Sequence, residues 1–280
     1  MTTQTGGGRF VDRLEIIRTA HHLADAARRE TLPLFRSRNL RPDNKLSSGF
    51  DPVTEADRAS EQAMRDILGR LRPDDAILGE EFGPVAGTSG LTWVLDPIDG
   101  TRAFIAGAPS WGVLIGLRDE AGPVYGLIDQ PFTNERFEGG LGVSRVTNSR
   151  GEEALGVRSD VSLKDAILLS TFPEVGTEAE RHAFQRVAAQ VRLTRYGLDC
   201  YGYALLVSGT VDLVIEAGLQ AYDIVAPIAV VEAAGGIVTD WQGGPAHEGG
   251  QIIAAATPEI HAAALKLLAA ERVVATGRLN

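Results

Sequence analysis

No apolar stretch in this chain runs much past about ten residues before a Pro or a Glu interrupts it, whereas a membrane-spanning helix needs roughly 20. The core must therefore be assembled from many short elements rather than a few long ones. Residues Met1 to Arg9 are polar and Gly-rich, lack the apolar centre of a signal peptide, and are expected to form a frayed tail.

Helical spacing appears first, at Phe10, Leu14, Ile17, His21 and Ala24, and predicts a helix reaching about Phe35. Thr54 with Asp57 three residues on has the form of a capping box and opens a second helix, which runs to about Leu71 before Pro73. Ile77-Leu78 and Leu91 to Leu95 read as strands, the second ending at Asp96. Trp111 to Leu117 and Val124 to Ile128 read as strands joined by the turn Asp119-Glu120-Ala121-Gly122. After about Arg158 strands and helices alternate: strand Ile167 to Ser170, helix Glu178 to Gln190, helix Tyr201 to Ser208, strand Val211 to Ile215. A helix from Ile224 to Ala234 follows, with Pro227 in its first turn and Gly235-Gly236 as its stop. Strands Ile237 to Thr239 and Ile252 to Ala255 precede a closing helix from Pro258 to Ala270. The change of pattern near Arg158 is the expected seam between two parts, residues 1–157 and 158–280.

Composition narrows the function. Lys and Arg number 27 against 37 Asp and Glu, a net charge of −10, and no basic run exists to grip nucleic-acid phosphates. The single cysteine, Cys200, can neither close an internal disulfide nor build a Cys-based metal site. The five histidines stand outside every acidic motif, which argues against a His nucleophile or a His-ligated zinc. The expectation is a soluble, cytoplasmic enzyme that engages neither nucleic acid nor membrane.

Carboxylates are the feature to explain. Asp96-Pro97-Ile98-Asp99-Gly100-Thr101 follows directly on an apolar strand. Two Asp three residues apart on a turn set by Pro97 and Gly100 can aim at one spot, and hard cations such as Mg²⁺ want oxygen ligands. The amides of Gly100 and Thr101, at the start of a short helix, could receive a phosphate. An Asp-rich turn that merely caps its own backbone would look similar. Glu80-Glu81, the pair Asp51 and Asp57, and Asp223 before an apolar helix each have ordinary local explanations. Four acidic clusters, all at strand ends or helix starts, make a stronger joint case.

In order, Asp51-Pro-Val-Thr-Glu-Ala-Asp57, Gly79-Glu80-Glu81, Trp93-Val-Leu-Asp96-Pro-Ile-Asp99-Gly-Thr101, and Tyr222-Asp223-Ile-Val-Ala-Pro with Glu232-Ala-Ala-Gly-Gly236 resemble the motifs of the inositol monophosphatase family. These are Mg²⁺-dependent, lithium-sensitive phosphatases. The stretches Phe104 to Leu117, Gly126 to Pro131 and Gly197 to Tyr201 are similar to the histidinol-phosphate phosphatase branch. The resemblance implies a five-layer αβαβα sandwich of the α+β class, with an antiparallel sheet in the first part and a mixed sheet in the second.

The resemblance also implies roles. Glu80, Asp96 and the Ile98 carbonyl would hold one Mg²⁺, and Asp96, Asp99 and Asp223 a second. A third, weaker ion would sit near Glu80. Thr101, positioned by Asp57, would orient a metal-activated water for direct attack, and the amides of Gly100 and Thr101 would bind phosphate. Asp199 and Glu216 match the family's substrate-recognition positions, although Asp199 could equally cap the helix beginning near Tyr201. Two carboxylates complement the ammonium and imidazole of histidinol phosphate. The implied reaction is hydrolysis of L-histidinol phosphate, in histidine biosynthesis, by a homodimer. An inositol monophosphatase or a 3′(2′),5′-bisphosphate nucleotidase is the alternative within the family, and a catalytically silent regulatory binding protein the alternative outside enzymes.

Overall fold

The computed structural model describes residues 2–4, 10–38, 40–44 and 52–270, so Asp51 and most of the expected N-terminal tail lie outside the described residues. One sheet comprises β1 (Ala76–Gly79), β2 (Gly83–Val85), β3 (Thr92–Asp99), β4 (Gly112–Asp119), β5 (Gly122–Gln130), β6 (Glu135–Gly140), β7 (Val143–Asn148) and β8 (Gly151–Ala154). Its spatial order is β8-β7-β6-β5-β4-β3-β1-β2. Its neighbours run antiparallel, except that β1 lies parallel to β3. The purely antiparallel sheet expected for this part is corrected in that one pair: β2 folds back onto the outer edge of β1, and the chain must pass it again before β3 begins.

The second sheet contains β9 (Ile167–Ser170), β10 (Leu193–Tyr196), β11 (Leu213–Gln220), β12 (Ile237–Thr239) and β13 (Gly249–Ala255), ordered β10-β9-β11-β13-β12. It is mixed, with β9 parallel to both neighbours and β13 antiparallel to both of its own.

Strand residues alternate between two apolar surroundings, because both faces of each sheet are covered. Trp93 and Leu95 point to α1 (Arg13–Thr31) and α2 (Glu55–Leu71), while Val94 between them meets Val225. In the second sheet Val214 faces α5 (Tyr201–Val207) and α6 (Ala221–Ala233). Leu213 and Ile215 face α4 (Glu178–Ala188) and α7 (Pro258–Ala269). The layers are thus α1/α2, first sheet, α5/α6, second sheet and α4/α7, the five expected.

Helix α6 is apolar all round because both sheets bury it, Ile224, Val225, Val230 and Val231 being fully enclosed. It lies on bare backbone. Gly116, Gly126 and Gly139 pair directly across β4, β5 and β6. A Cβ on Gly126 would come within 2.1 Å of the Ala226 carbonyl oxygen, and one on Gly139 within 2.5 Å of the Val230 Cα. The helix begins at Ala221 rather than Ile224, so Pro227 stands in its second turn. Pro227 itself has no N–H to contribute to the helix. Among the described residues no helix is long and apolar enough to cross a membrane.

Candidate active site

Strand β3 runs on through Asp96 to Asp99, and its pairing with β4 slips between those two residues. Such a bulge re-aims side chains. The Asp96 carboxylate is 2% exposed and accepts from the Ile98 amide at 3.0 Å. Gly100 then takes the left-handed conformation (φ 83°) and caps α3 (Thr101–Ala106). A Cβ there would also lie 2.8 Å from Asp199 Cγ, so position 100 demands glycine twice over.

Asp99 Oδ2 accepts from the Cys200 amide at 2.6 Å, tying the first sheet to the start of α5. Asp223 arrives on the third residue of α6, where its carboxylate accepts from the Gln220 amide at 2.7 Å. It therefore sits inside the first turn rather than ahead of it, as the sequence suggested. One oxygen from each of Asp96, Asp99 and Asp223 falls within 4.8 Å of the other two. Glu80, at the tip of the β1–β2 hairpin, hydrogen-bonds Asp96, and its own amide donates to the Leu95 carbonyl at 3.2 Å.

Burial, then the charges of Glu80, Asp99 and Asp223, push the Asp96 carboxyl well above the ordinary range; burial, then Asp223 and Asp199, does the same to Asp99. Converging buried carboxylates are unfavourable unless a cation offsets them. An all-oxygen set of this kind suits a hard divalent ion such as Mg²⁺.

Behind this cluster Asp57, fully buried, completes the capping box of α2, accepting from the Thr54 amide at 2.8 Å and its hydroxyl at 2.6 Å. Its other oxygen accepts from the Thr101 hydroxyl at 3.3 Å, and that hydroxyl also contacts the Ile98 carbonyl at 3.1 Å. Burial raises Asp57 to about 6 against the lowering effect of Thr54.

Asp199 and Glu216 face the same cavity from the other side. Asp199 does not cap α5. Cys200 occupies that position, and Asp199, itself at φ 45°, accepts from the Ser110 hydroxyl at 3.1 Å. Glu216 lies within β11, before the irregularity that separates it from Leu219, and accepts from the Thr171 amide at 2.8 Å and hydroxyl at 2.9 Å. Burial raises it to about 7 despite those bonds. The cavity, about 320 Å³, is lined by Glu80, Asp99, Gly100, Thr101, Asp199, Glu216 and Asp223. Asp57, Asp96 and Ile98 stand behind its wall.

Sequence reasoning passed over Arg102 and Phe172, which also line this cavity and stack at 4.9 Å. It passed over Glu61 as well, a fully buried acid whose carboxylate accepts from the Glu81 amide at 2.7 Å. The signal for Glu61 was its spacing, one helical turn after Asp57 on the same face.

Layering and donor set together define a class, hydrolases that act on phosphate esters in an acidic cleft between two sheets. Within it the chain belongs to the inositol monophosphatase family, whose sequence model matches residues 12–272, and it is a phosphatase of that family. The chain is 43% identical over 235 residues to the chloroplastic bifunctional phosphatase IMPL2 of Arabidopsis thaliana, covering 83% of this chain and 66% of that protein, just under two thirds of its length. It is 36% identical over 255 residues to a histidinol-phosphatase of Streptomyces coelicolor, covering 87% of this chain and 93% of the relative. Among solved structures, an inositol monophosphatase from Zymomonas mobilis superposes with a TM-score of 0.81 at 40% identity, over 92% of this chain and 99% of that one.

Proposed function

We propose that this phosphatase is a Mg²⁺-dependent histidinol-phosphatase, converting L-histidinol phosphate and water to L-histidinol and phosphate. The observation that carries the reading is the pair Asp199 and Glu216. Both face the cavity beyond the start of α3, and both are additional to the carboxylates gathered around Asp96. A substrate whose far end carries an ammonium and an imidazole uses two such carboxylates. Likeness to the histidinol-phosphatase of Streptomyces coelicolor adds support. The homodimer and cytoplasmic location implied by family resemblance, and the two-part division at residues 157 and 158, belong to the same proposal.

Glu80, Asp96, the Ile98 carbonyl, Asp99 and Asp223 would hold the Mg²⁺ ions, which when bound supply positive charge to the ester oxygens and acidify water. The amides of Gly100 and Thr101 receive the phosphate at the start of α3. The Thr101 hydroxyl donates to Asp57 and accepts from the attacking water. As the water's oxygen reaches phosphorus, its proton passes to Thr101 and the Thr101 proton to Asp57, while the ester P–O bond breaks and the departing alkoxide takes a proton from solvent water to leave as the alcohol. A carboxyl raised to about 6 is well matched to that task near neutral pH. Asp199 and Glu216 hold the departing alcohol by its cationic end.

The test is kcat/KM with Mg²⁺ for L-histidinol phosphate, inositol 1-phosphate and 3′-phosphoadenosine 5′-phosphate. Preference for the first by tenfold or more is expected. Preference for inositol phosphate would overturn the substrate assignment and leave the family intact. Turnover of none of the three would favour the regulatory alternative.

A further inference from the structure

The β1–β2 hairpin carries Glu80 at the exposed edge of the first sheet, on strands of only four and three residues. An edge hairpin so short is a poor mount for a ligand that must meet Asp96 to within fractions of an ångström. Its anchor is Glu61. One oxygen of that carboxylate accepts from the Glu81 amide at 2.7 Å, and the other from the Phe82 amide at 3.2 Å. Arg65, one turn on, donates to Glu61 at 2.7 Å and also to the Gly83 carbonyl, and its guanidinium lies 5.8 Å from the centre of the Phe82 ring. The clamp fits against bare backbone, since a Cβ on Gly79 would stand 2.0 Å from the Glu61 carboxylate.

Asp57, Glu61 and Arg65 follow each other at four-residue intervals on one face of α2. Asp57 holds Thr101 and Glu61 holds the turn after Glu80, so a single rigid helix sets the distance between the two. We infer that Glu61 is a positioning residue for the cation site, acting through the backbone of residues 81 and 82 to aim Glu80. The inference rests on the proposed cation binding and adds to it a residue that touches neither ion nor substrate. Residues that orient a metal ligand in this way are commonly worth about 10- to 100-fold in metal affinity when replaced.

The test is calorimetric titration of the full-length protein with Mg²⁺ in the absence of substrate, for the wild type, Glu61→Gln and Gly79→Ala. Gln keeps the size of the side chain but loses one acceptor and the ion pair, whereas Ala at 79 drives a Cβ into the clamp from the other side. Both variants should bind Mg²⁺ about 10- to 100-fold more weakly. The Mg²⁺ concentration for half-maximal activity should rise in the same ratio, with kcat at saturating Mg²⁺ changed less than threefold. Should Glu61→Gln fail to fold, Gly79→Ala carries the test alone. Binding as tight as wild type in the folded variants would make Glu61 a staple for the hairpin only, leaving the phosphatase reading untouched. Absence of Mg²⁺ binding by the wild type itself would overturn the cation assignment and this inference together.

Discussion

Asp96→Asn separates the cost of the acidic cluster from its use. Asn retains the oxygen that the Ile98 amide needs but removes a buried charge facing Glu80, Asp99 and Asp223. Two like charges about 4.8 Å apart at an effective dielectric of 20 repel by about 3 kcal/mol. Protonation already relieves part of this in the cation-free protein, because the Asp96 carboxyl is raised above its ordinary range. A net gain of about 1–3 kcal/mol is expected for the cation-free variant, roughly 2–8 °C in Tm for a chain of this size. A raised carboxyl favours the folded state below the unfolded value near 4, and that advantage is lost as pH rises through the folded value. The variant's advantage should therefore be present at neutral pH and vanish toward pH 4. Scanning calorimetry in EDTA at several pH values measures it, with turnover at saturating Mg²⁺ alongside. A variant less stable than wild type at pH 7 would refute the electrostatic reasoning, and more than a tenth of wild-type turnover would refute Asp96 as a shared ligand.

Thr101→Ala and Asp57→Asn should each lower kcat by roughly 10²-fold, with the double variant little worse than either alone; multiplicative losses would mean the two act separately. Glu216→Gln should lower kcat/KM for histidinol phosphate by about 2–4 kcal/mol, roughly 30- to 1000-fold, while glycerol phosphate changes far less; equal losses on both substrates would make Glu216 structural. Glu138 is held at about 2: burial acts to raise it, but bonds from His21, Arg145 and Tyr125 outweigh that. Its contribution, up to about 3 kcal/mol, should be complete above pH 4.5 and lost as pH falls toward 2, and acid titration of Glu138→Gln should lack that component.

Much of the site was legible because its carboxylates sit in local motifs. The Thr54–Asp57 capping box and the Asp96-Pro-Ile-Asp99-Gly-Thr101 turn are short-range geometry, and both form as read. What escaped depends on partners distant in the chain. Glu61 with Arg65 four residues on looks like an ordinary exposed helix pair, and only the hairpin folded over it makes it buried. Asp199 looks like a cap until Ser110 draws it aside. The start of α6 was misread because Gln220 is an unusual cap, and because the helix has no polar face to mark its phase. Strand β10 is half exposed at a sheet edge, where neither alternation nor length announces it.

The glycine rung beneath α6 bears on the order in which the molecule can assemble. Asp96 and Asp99 belong to a sheet built largely of hairpins between chain neighbours, which close quickly. Asp223 comes on a helix that is buried only once a second sheet, made from remote segments, has formed against its far side. Such distant closures are the slow ones. Asp223 is therefore kept from Asp96 and Asp99 until late in such a sequence, and its repulsion with them arises only as α6 settles onto Gly116, Gly126 and Gly139. An ion that binds the completed cluster but not the open chain stabilises that last docking by mass action. Such an ion would serve as a latch between the two sheets as well as a reagent.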